Sequence, residues 1–287
     1  MKPVFKKIKG NTDTWKDKNV LVYAGYCPYT TLSPLHTKTV ETYVRWGYTV
    51  VSCYNTNDVS TSIKDNTNAE CVFMRENLGY DFGIYKDICT EYEEELKSAR
   101  SVTFLNESVA PILENRAFQT HVENTNLDVV FPVSSLERQP HAQSWFVCVK
   151  KSGLKKNALD VFKEFPYEEN QEVIINEMEL PLHAHFKRRG ITVDVIWKKM
   201  PLKASVTLEH GSQSVVSNPT TILWAAFLEE GAPFLKLKAV SLGLVNKPLY
   251  LRRNADGREM VHTRHNPYIN LVPSEWRDTI TEHLNYG

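Results

Sequence analysis

Residues 75–87 read RENLGYDFGIYKD, and this stretch decides the fold of the chain. The residues just before it, 70–74 (ECVFM), predict a short buried strand, and the apolar side chains that follow recur at the spacing of a helix. Gly79 and Gly83 flank Asp81 where the strand gives way to the helix. Glycine lets a backbone approach a ligand closely, and free N–H groups at a helix N-terminus attract phosphate. The stretch therefore predicts a strand–turn–helix unit that meets a ligand at its turn.

The residues on both sides extend this unit into an alternating pattern. Strands are predicted at 19–24, 48–53 and 101–105, and a helix at 33–46 begins at Ser-Pro and ends before a glycine. The order over the first 110 residues is β-α-β-β-α-β, and the short crossover between the first two strands predicts that they are parallel. We therefore expect an α/β fold with a Rossmann-type nucleotide-binding sheet flanked by helices.

The second half of the chain continues with shorter segments of strand and helix. The strand candidates lie at 129–132, 144–149 and 191–197, and the helix candidates at 153–165, 171–189 and 218–227. The simplest division of the chain has a basic N-terminal tail at 1–17, one domain at 18–240 and a C-terminal arm at 241–287.

Composition bounds the class of protein. Lys+Arg and Asp+Glu are both 34, so the zero net charge argues against a nucleic-acid partner. No stretch approaches the roughly 18 apolar residues of a spanning helix, and the five cysteines form no CxxC pair, which predicts buried free thiols in a reducing compartment. We expect a soluble cytoplasmic protein. The lysines of residues 2–9 could hold it at the inner face of a membrane, although such a stretch is more often a solvated tail.

Three polar clusters lie where open α/β sheets bind ligands, beyond the carboxyl ends of strands. They are residues 24–26, the turn at 75–83, and residues 106–108, which read Asn-Glu-Ser. An acidic side chain at a strand end can hold Mg²⁺ that bridges a diphosphate. One carboxylate between two neutral residues also fits an ordinary turn.

The turn itself allows more than one role for its charged residues. Arg75 could bind phosphate in a bidentate manner, or it could pair with Glu76 or Asp81. Asp81 could instead be the N-cap of the helix that it precedes.

The order and spacing of these pieces resemble the rhamnan synthesis protein F family, bacterial proteins associated with the assembly of rhamnose-containing cell-wall and O-antigen polysaccharides. The resemblance covers roughly residues 18–240. Its pieces are, in chain order, VLVYAGY; Arg75, Asn77, Gly79, Tyr80, Asp81, Phe82, Gly83, Tyr85 and Lys86; Asn106, Glu107, Ser108 and Pro111; Gln143, Ser144, Trp145 and Phe146; Glu177; and Asn218, Pro219, Trp224, Pro233, Phe234, Leu235 and Lys236.

The resemblance implies a GT-A-like glycosyltransferase, a hexosyltransferase that moves a sugar such as rhamnose from a dTDP-, UDP- or GDP-linked donor to a growing cell-surface polysaccharide or lipid-linked glycan. It puts Asn106-Glu107-Ser108 in the place of an Asp-x-Asp motif, with Glu107 as the ligand of Mg²⁺ or Mn²⁺. Glu107 stands where the family carries Asp, so metal dependence is an open point. The donor-binding residues that it implies are Ala24, Gly25, Tyr26, Arg75, Asn77, Gly79, Tyr80, Asp81, Gly83, Lys86, Asn106, Glu107 and Ser108.

Transfer needs a base near the anomeric carbon to take the proton of the acceptor hydroxyl. The candidates are Glu177, Glu179 and His141, although a lone histidine is more often structural. The acceptor is expected at Gln143, Ser144 and Trp145. Three alternatives stay open: a sugar-binding or assembly subunit without activity, a nucleotidyltransferase, and a hydrolase with paired carboxylates.

Overall fold

The computed structural model describes residues 2–60, 63–64, 67–198, 203–208, 211–216, 218–246, 249–253, 259–263 and 270–286. The strands in these residues are β1 Phe5–Gly10, β2 Asn19–Tyr26, β3 Thr49–Thr56, β4 Cys71–Glu76, β5 Ser101–Asn106, β6 Val109–Pro111, β7 Val129–Ser135, β8 His141–Ala142, β9 Phe146–Lys150, β10 Val193–Trp197, β11 Lys203–Leu208, β12 Gly211–Val216, β13 Phe234–Lys236, β14 Leu249–Arg253 and β15 Glu259–Thr263. The α-helices are α1 Pro34–Arg45, α2 Tyr80–Glu91, α3 Glu93–Ser98, α4 Arg116–Asn124, α5 Lys151–Lys155, α6 Asp160–Lys163, α7 Gln171–Ile174, α8 Leu182–Arg188, α9 Trp224–Glu229, α10 Leu237–Ser241 and α11 Ser274–Leu284.

Nine of the described strands form one mixed sheet in the order β1-β4-β3-β2-β5-β9-β7-β10, with β8 paired to β7. Strands β4, β3, β2 and β5 are mutually parallel, whereas β9 is antiparallel to both β5 and β7. After β2 the chain adds β3 and then β4 on one side of β2, and β5 then pairs with the other side of β2. The switch point of the sheet therefore lies between β2 and β5, and the expected α/β fold with a parallel first half is confirmed.

Alternating side chains of β2 divide the core into two layers. Val20 and Val22 pack with residues of α2, whereas Leu21 and Tyr23 pack with residues of α1 on the opposite face. A strand covered on both faces needs the continuous apolar run that the sequence shows. In the part of the chain that the structure describes, no helix is both long and apolar enough to cross a membrane.

The turn between β4 and α2 is built around a buried arginine. Arg75 is 0% exposed, and its Nε donates a hydrogen bond to Asp87 Oδ2 over 2.8 Å. Its two other nitrogens donate to Asn55 Oδ1 at 2.7 Å and to the carbonyl of Leu78 at 2.8 Å. The side chain thus ties β3, the turn and α2 together. The partner of Arg75 is Asp87, and not Glu76 or Asp81 as the sequence suggested.

The glycines of the turn make this arrangement possible. A Cβ on Gly83 would lie 2.2 Å from the Leu78 carbonyl oxygen and 2.8 Å from both terminal nitrogens of Arg75. Gly79 has a φ of +83° and is the N-cap of α2, so Asp81 is not the cap. Asp81 lies inside the first turn of α2, and its carboxylate accepts a hydrogen bond from Asn106 at the end of β5.

The N-terminal segment differs from the solvated tail that was expected. Residues 5–10 form β1, which pairs with β4 in antiparallel fashion at the edge of the sheet. The cause is apolar contact, because the Phe5 ring stacks on Phe73 at 5.1 Å between centroids. Lys6 and Lys7 remain exposed on this edge, so contact with an anionic membrane stays a prediction.

Three helix predictions in the second half need correction. The expected helix at 153–165 is split into α5 and α6, because Asn157 has a φ of +57° and interrupts it. The expected helix at 171–189 contains a π-helical segment, Ile175–Glu179, followed by Pro181, which has no backbone N–H to continue the helix. Asn218 starts a turn and not a helix, since its side-chain oxygen accepts the N–H of Thr220.

The C-terminal helix α11 packs against α1. Trp276 and Ile280 are buried in an apolar cluster that includes Leu35. His283 Nδ1 lies 2.8 Å from Ser33 Oγ, so the hydroxyl expected to cap α1 makes a tertiary contact instead. The division at residues 17 and 240 stays a prediction, although elements from both flanking segments contact the central part.

We expect Arg75→Met to lower the free energy of unfolding by about 3–5 kcal/mol, because it leaves the buried Asp87 carboxylate without its partner. The measurement is urea unfolding followed by circular dichroism. Arg100→Met, at an exposed position, is the matched control and should change stability by no more than about 0.5 kcal/mol. Equal stability of Arg75→Met and the wild type would contradict a structural role for this arginine.

Candidate functional site

A cleft of about 570 Å³ opens at the switch point of the sheet, beyond the carboxyl ends of β2 and β5. The register of the two strands aligns Ala24 with Asn106. The loops that follow them are bonded to each other, because the Glu107 N–H donates to the Ala24 carbonyl over 3.0 Å. The residues that line it are Ala24, Gly25, Tyr26, Asn55, Asn77, Tyr80, Asp81, Ile84, Asn106, Glu107, Ser108, Glu137, Arg138, His141, Gln143, Ser144, Trp145, Gln171, Ile174, Ile175, Glu179, Leu180, Asn218, Thr221, Lys236 and Lys238.

A chain of hydrogen bonds crosses the cleft from α2 to β13. Asn106 Nδ2 donates to Asp81 Oδ2 over 2.6 Å, while Asn106 Oδ1 accepts the Ser108 N–H at 3.1 Å and the Ser108 hydroxyl at 2.5 Å. Lys236 Nζ donates in turn to Ser108 Oγ over 3.1 Å. Asn106 is thereby fixed in one orientation, since its amide donates to a carboxylate and its carbonyl accepts from a hydroxyl. These hydrogen bonds link the Asp81 carboxylate to the Lys236 ammonium through the neutral side chains of Asn106 and Ser108.

Glu107 is held at the end of β2. Its Oε2 accepts the backbone N–H of Tyr26 over 2.9 Å. Burial raises the pKa of Glu107 to about 7, although the N–H of Tyr26 acts in the opposite direction. Its carboxyl therefore changes charge near neutral pH.

A buried histidine lies behind Glu107 that the sequence did not single out. His36 Nε2 lies 3.0 Å from the Tyr26 carbonyl oxygen and 3.4 Å from Glu107 Oε2. A carbonyl only accepts, so Nε2 carries the proton, and Nδ1 accepts the Tyr23 hydroxyl at 2.9 Å. Burial lowers the pKa of His36 to about 3, which keeps the ring neutral. His36 therefore fixes the loop after β2 without adding charge.

Glu179 is the last residue of the π-helical segment and lines the cleft. Burial raises the pKa of its carboxyl to about 7, and the negative charge of Asp81 contributes to the rise, whereas Lys236 opposes it. Short π-helical segments inside helices frequently accompany functional sites. A carboxyl that titrates near pH 7 is suited to accept a proton at neutral pH.

Lys236 provides positive charge among these carboxylates. Burial lowers the pKa of its ammonium to about 8, while Glu179 and Asp81 act to raise it. Burial also raises the pKa of Asp81. Asp81, Glu107 and Glu179 thus share the cleft with a lysine whose charge is poorly solvated, and Glu137, Arg138 and Lys238 line it as well. Titratable groups with shifted pKa values in one cleft are typical of functional sites.

Comparison with known families decides the assignment of the chain. Residues 49–261 match the family described as Rhamnan synthesis protein F, and this range is more than half of the 287 residues. The chain belongs to the rhamnan synthesis protein F family. None of the curated proteins compared with the chain matches it.

Several solved structures resemble this member of the rhamnan synthesis protein F family in fold. A putative nucleotide-diphospho-sugar transferase from Desulfovibrio desulfuricans G20 is 10% identical, with 64% of this chain and 80% of that chain covered and a TM-score of 0.38. A glycosyltransferase involved in glycosylation of the major capsid of PBCV-1 is 16% identical, with coverages of 76% and 93% and a TM-score of 0.38. A Drosophila beta-1,4-galactosyltransferase 7 mutant, in complex with manganese, UDP-Gal and xylobiose, is 8% identical, with coverages of 91% and 97% and a TM-score of 0.32. Membership of the family rests on the sequence match and not on these low scores.

Most of the residues that the family resemblance implied for the donor do line the cleft, but four do not. Arg75 is buried under the turn and bonded to Asp87, and Gly79 and Gly83 shape that turn. Lys86 Nζ donates to the backbone carbonyls of Lys163 and Phe165, the latter over 2.7 Å, and so anchors α2 to the segment after α6. These four residues build the site without facing it.

The three candidates for the base differ in their position relative to the cleft. Glu179 and His141 line the cleft, whereas Glu177 is exposed and lies outside it. Residues two positions apart lie on different faces of a helix, so the sequence separates 177 from 179, but only the structure shows that 179 is the one at the cleft. Burial lowers the pKa of His141, and its Nδ1 lies 2.8 Å from the Gln139 carbonyl. His141 is consequently the weaker base of the two.

The three residues expected to bind the acceptor form one wall of the cleft. Trp145 is 2% exposed, and its indole N–H donates to Gln143 Oε1 over 2.6 Å. The same oxygen accepts the Thr220 hydroxyl at 3.0 Å. Trp145 thus has a packing role as well, and acceptor binding by Gln143, Ser144 and Trp145 stays a prediction.

Several cleft residues were missed by sequence reasoning. The family resemblance includes Lys236 without giving it a role, and it does not include Asn55. Thr221 is buried, and its hydroxyl has no partner among the described residues, so a bound ligand could provide one. Asn218-Pro219 was the available signal for this region, because the turn that starts at Asn218 carries Thr221 at the cleft.

A divalent cation was expected at Glu107. Within the described residues, no group of three or more His, Cys, Asp and Glu side chains is arranged to hold a metal ion. Asp81 already accepts hydrogen bonds at both oxygens, from Asn106 and from the Phe82 N–H. The site therefore lacks a resident donor set for Mg²⁺ or Mn²⁺, and metal binding at Glu107 stays a prediction that requires ligands from a substrate.

Glu179 predicts a pH-dependent stability. Its carboxyl has a pKa of 4.5 ordinarily and of about 7 in the folded chain, so between these values the folded state binds more protons than the unfolded state. The free energy of unfolding therefore falls as pH rises through this window. Glu179→Gln removes the titrating group. We expect it to exceed the wild type in stability by about 1–2 kcal/mol at about pH 8, with allowance for partial exposure, and to equal it near pH 4.

Urea unfolding of both proteins at the two pH values checks this expectation. Glu169→Gln, at an exposed position, is the control and should show no pH-dependent gain. A gain of Glu179→Gln that is the same at both pH values would show that the effect comes from packing and not from the titration of Glu179.

Proposed function

We propose that the protein is a glycosyltransferase that uses a nucleotide-sugar donor. The observation that carries this proposal is the meeting of Asp81, Glu107 and Glu179 with Lys236 in one cleft at the switch point of the sheet. That edge is where α/β sheets bind nucleotides. Membership of the rhamnan synthesis protein F family supports the same reading.

The nucleoside would bind beside the loop after β2. Ala24, Gly25 and Tyr26 line this end of the cleft, with Asn55 and Asn77 next to them. Gly25 matters here because a Cβ at this position would lie 2.7 Å from the His36 ring. The diphosphate would extend from there toward the hydrogen-bond chain of Asn106 and Ser108.

Glu179 is the proposed base. In the transfer step the acceptor hydroxyl oxygen forms a bond to the anomeric carbon, and the bond from that carbon to the diphosphate oxygen breaks. The bonding pair leaves with the nucleoside diphosphate, and the hydroxyl proton passes to Glu179. Its pKa of about 7 makes the carboxylate basic enough to take this proton and still ionised in part at neutral pH.

The acceptor would enter along the wall formed by Gln143, Ser144 and Trp145, close to Glu179 and His141. We propose a growing cell-surface polysaccharide or a lipid-linked glycan as acceptor, with rhamnose as one candidate sugar, because the family is named for rhamnan synthesis. The exposed Lys6 and Lys7 on β1 would suit a contact with an anionic membrane that carries a lipid-linked acceptor.

We expect at least one of dTDP, UDP and GDP to raise the melting temperature by about 2 °C or more at saturating concentration, because a ligand that binds the folded state alone stabilises it. Differential scanning fluorimetry with and without Mg²⁺ or Mn²⁺ is the measurement, and the nucleosides without phosphate are the controls. Failure of every nucleotide under all conditions would overturn the proposal and favour a sugar-binding subunit without transferase activity.

We expect Glu179→Gln to lower kcat by about 10²–10⁴-fold while the Kd of the nucleoside diphosphate changes by less than about threefold, since only the base is removed. Transfer of radiolabelled sugar to an oligosaccharide acceptor gives kcat, and calorimetry gives Kd. Glu177→Gln is the matched control, because Glu177 lies outside the cleft and should keep its activity. Full activity of Glu179→Gln, or loss in Glu177→Gln alone, would refute this choice of base.

A further inference from the structure

Lys236 is placed at the cleft by the pairing of β13 with β6, the strand that directly follows β5 in the chain. β13 runs antiparallel to β6, with Lys236 opposite Val109, and the N–H of Leu237 donates to the Ser108 carbonyl over 2.9 Å. The loop after β5 and the lysine are thus fixed to each other by backbone contacts. The side chain of Lys236 therefore enters the cleft from a fixed backbone position.

The ammonium of Lys236 has donors to spare. Of its three N–H groups, the described residues accept one, through Ser108 Oγ at 3.1 Å. Burial disfavours its charge, and Glu179, Asp81 and Glu137 nearby favour it, whereas Lys238 opposes it. A poorly solvated cation with unused donors gains more from an anionic ligand than a lysine in open water does.

We propose that Lys236 binds the diphosphate of the sugar donor and carries the counter-charge that a divalent cation would otherwise supply. This assignment deepens the proposed function and rests on it. The ligand class is a nucleoside diphosphate, held by the Lys236 ammonium with Ser108 and Asn106 beside it.

The chemistry of the transfer gives this charge a purpose. When the bond between the anomeric carbon and the diphosphate oxygen breaks, its electron pair moves onto the leaving nucleoside diphosphate, whose negative charge rises by one. An ammonium fixed at that oxygen stabilises the transition state more than the bound donor. The acceptor proton goes to Glu179, so no co-reactant is needed.

The donor set of the cleft favours the lysine over a metal ion for this task. Asp81 and Glu107 both accept hydrogen bonds from the protein, and the Asp81 carboxylate is linked to the ammonium through Asn106 and Ser108. A divalent ion between the two carboxylates would be repelled by Lys236. The same lysine also reduces the repulsion between the carboxylates and an incoming diphosphate.

Calorimetry in EDTA tests the proposal on the full-length protein. The probes are UDP, GDP and dTDP, each compared with its nucleoside. We expect the wild type to bind at least one diphosphate without metal, and Lys236→Met to bind it at least about tenfold more weakly, since a hydrogen bond to a charged group is lost. Lys236→Arg, which keeps the charge, should recover part of the affinity.

Lys155→Met is the control for removal of a positive charge, because Lys155 is exposed on α5 outside the cleft. Lys236→Gln is the second variant should Lys236→Met not fold, because it keeps a donor for Ser108 and should lose the same affinity. Circular dichroism checks the fold of each variant.

The outcomes separate the two proposals. Unchanged diphosphate affinity in a folded Lys236 variant would overturn the role of Lys236 and leave the proposed function intact. Binding by the wild type only after Mg²⁺ or Mn²⁺ is added would do the same. Absence of nucleotide binding with and without metal would overturn the proposed function itself.

Discussion

The buried ion pair between Arg75 and Asp87 is the interaction on which the cleft depends. Two opposite charges with no exposed surface need further hydrogen bonds, and here Asn55 and the Leu78 carbonyl accept from Arg75 while the Tyr167 hydroxyl donates to Asp87. The pair fixes where α2 begins relative to β3 and β4. That position aims Asp81 at Asn106, so the first carboxylate of the cleft is placed by a contact that never reaches the cleft.

The groups whose charged forms burial disfavours most lie in the cleft beside this turn. Glu107 and Glu179 both have pKa values raised to about 7 by burial, and the pKa of Lys236 is lowered to about 8. A protein selected for stability alone would not hold such groups together away from water. Their free energy is offset by the apolar layers on both faces of the sheet. The arrangement is the expected signature of a site that trades stability for chemistry.

The family match and the geometry support each other from different directions. The match covers residues 49–261 and therefore includes the turn, the Asn-Glu-Ser loop and Lys236. The geometry shows that these separated segments converge on one volume of about 570 Å³. Glu107, where the family resemblance implies Asp, also gains a physical context, since its carboxylate accepts the Tyr26 N–H. The N-terminal strand and α11 add packing at the edges of the same molecule.

The sequence by itself determined the α/β fold, because continuous apolar runs, helical periodicity and glycine punctuation are local signals. It also located the polar loops after β2 and β5, since parallel strands end at one edge. It did not determine which of the candidate side chains face the cleft. Arg75 and Lys86 turned inward, and Glu177 pointed away, because burial and partner geometry are set by packing. Only the tertiary structure brought Glu179 and Lys236 to the cleft with Asp81, since residues 98 and 155 positions away leave no periodic trace in a single chain.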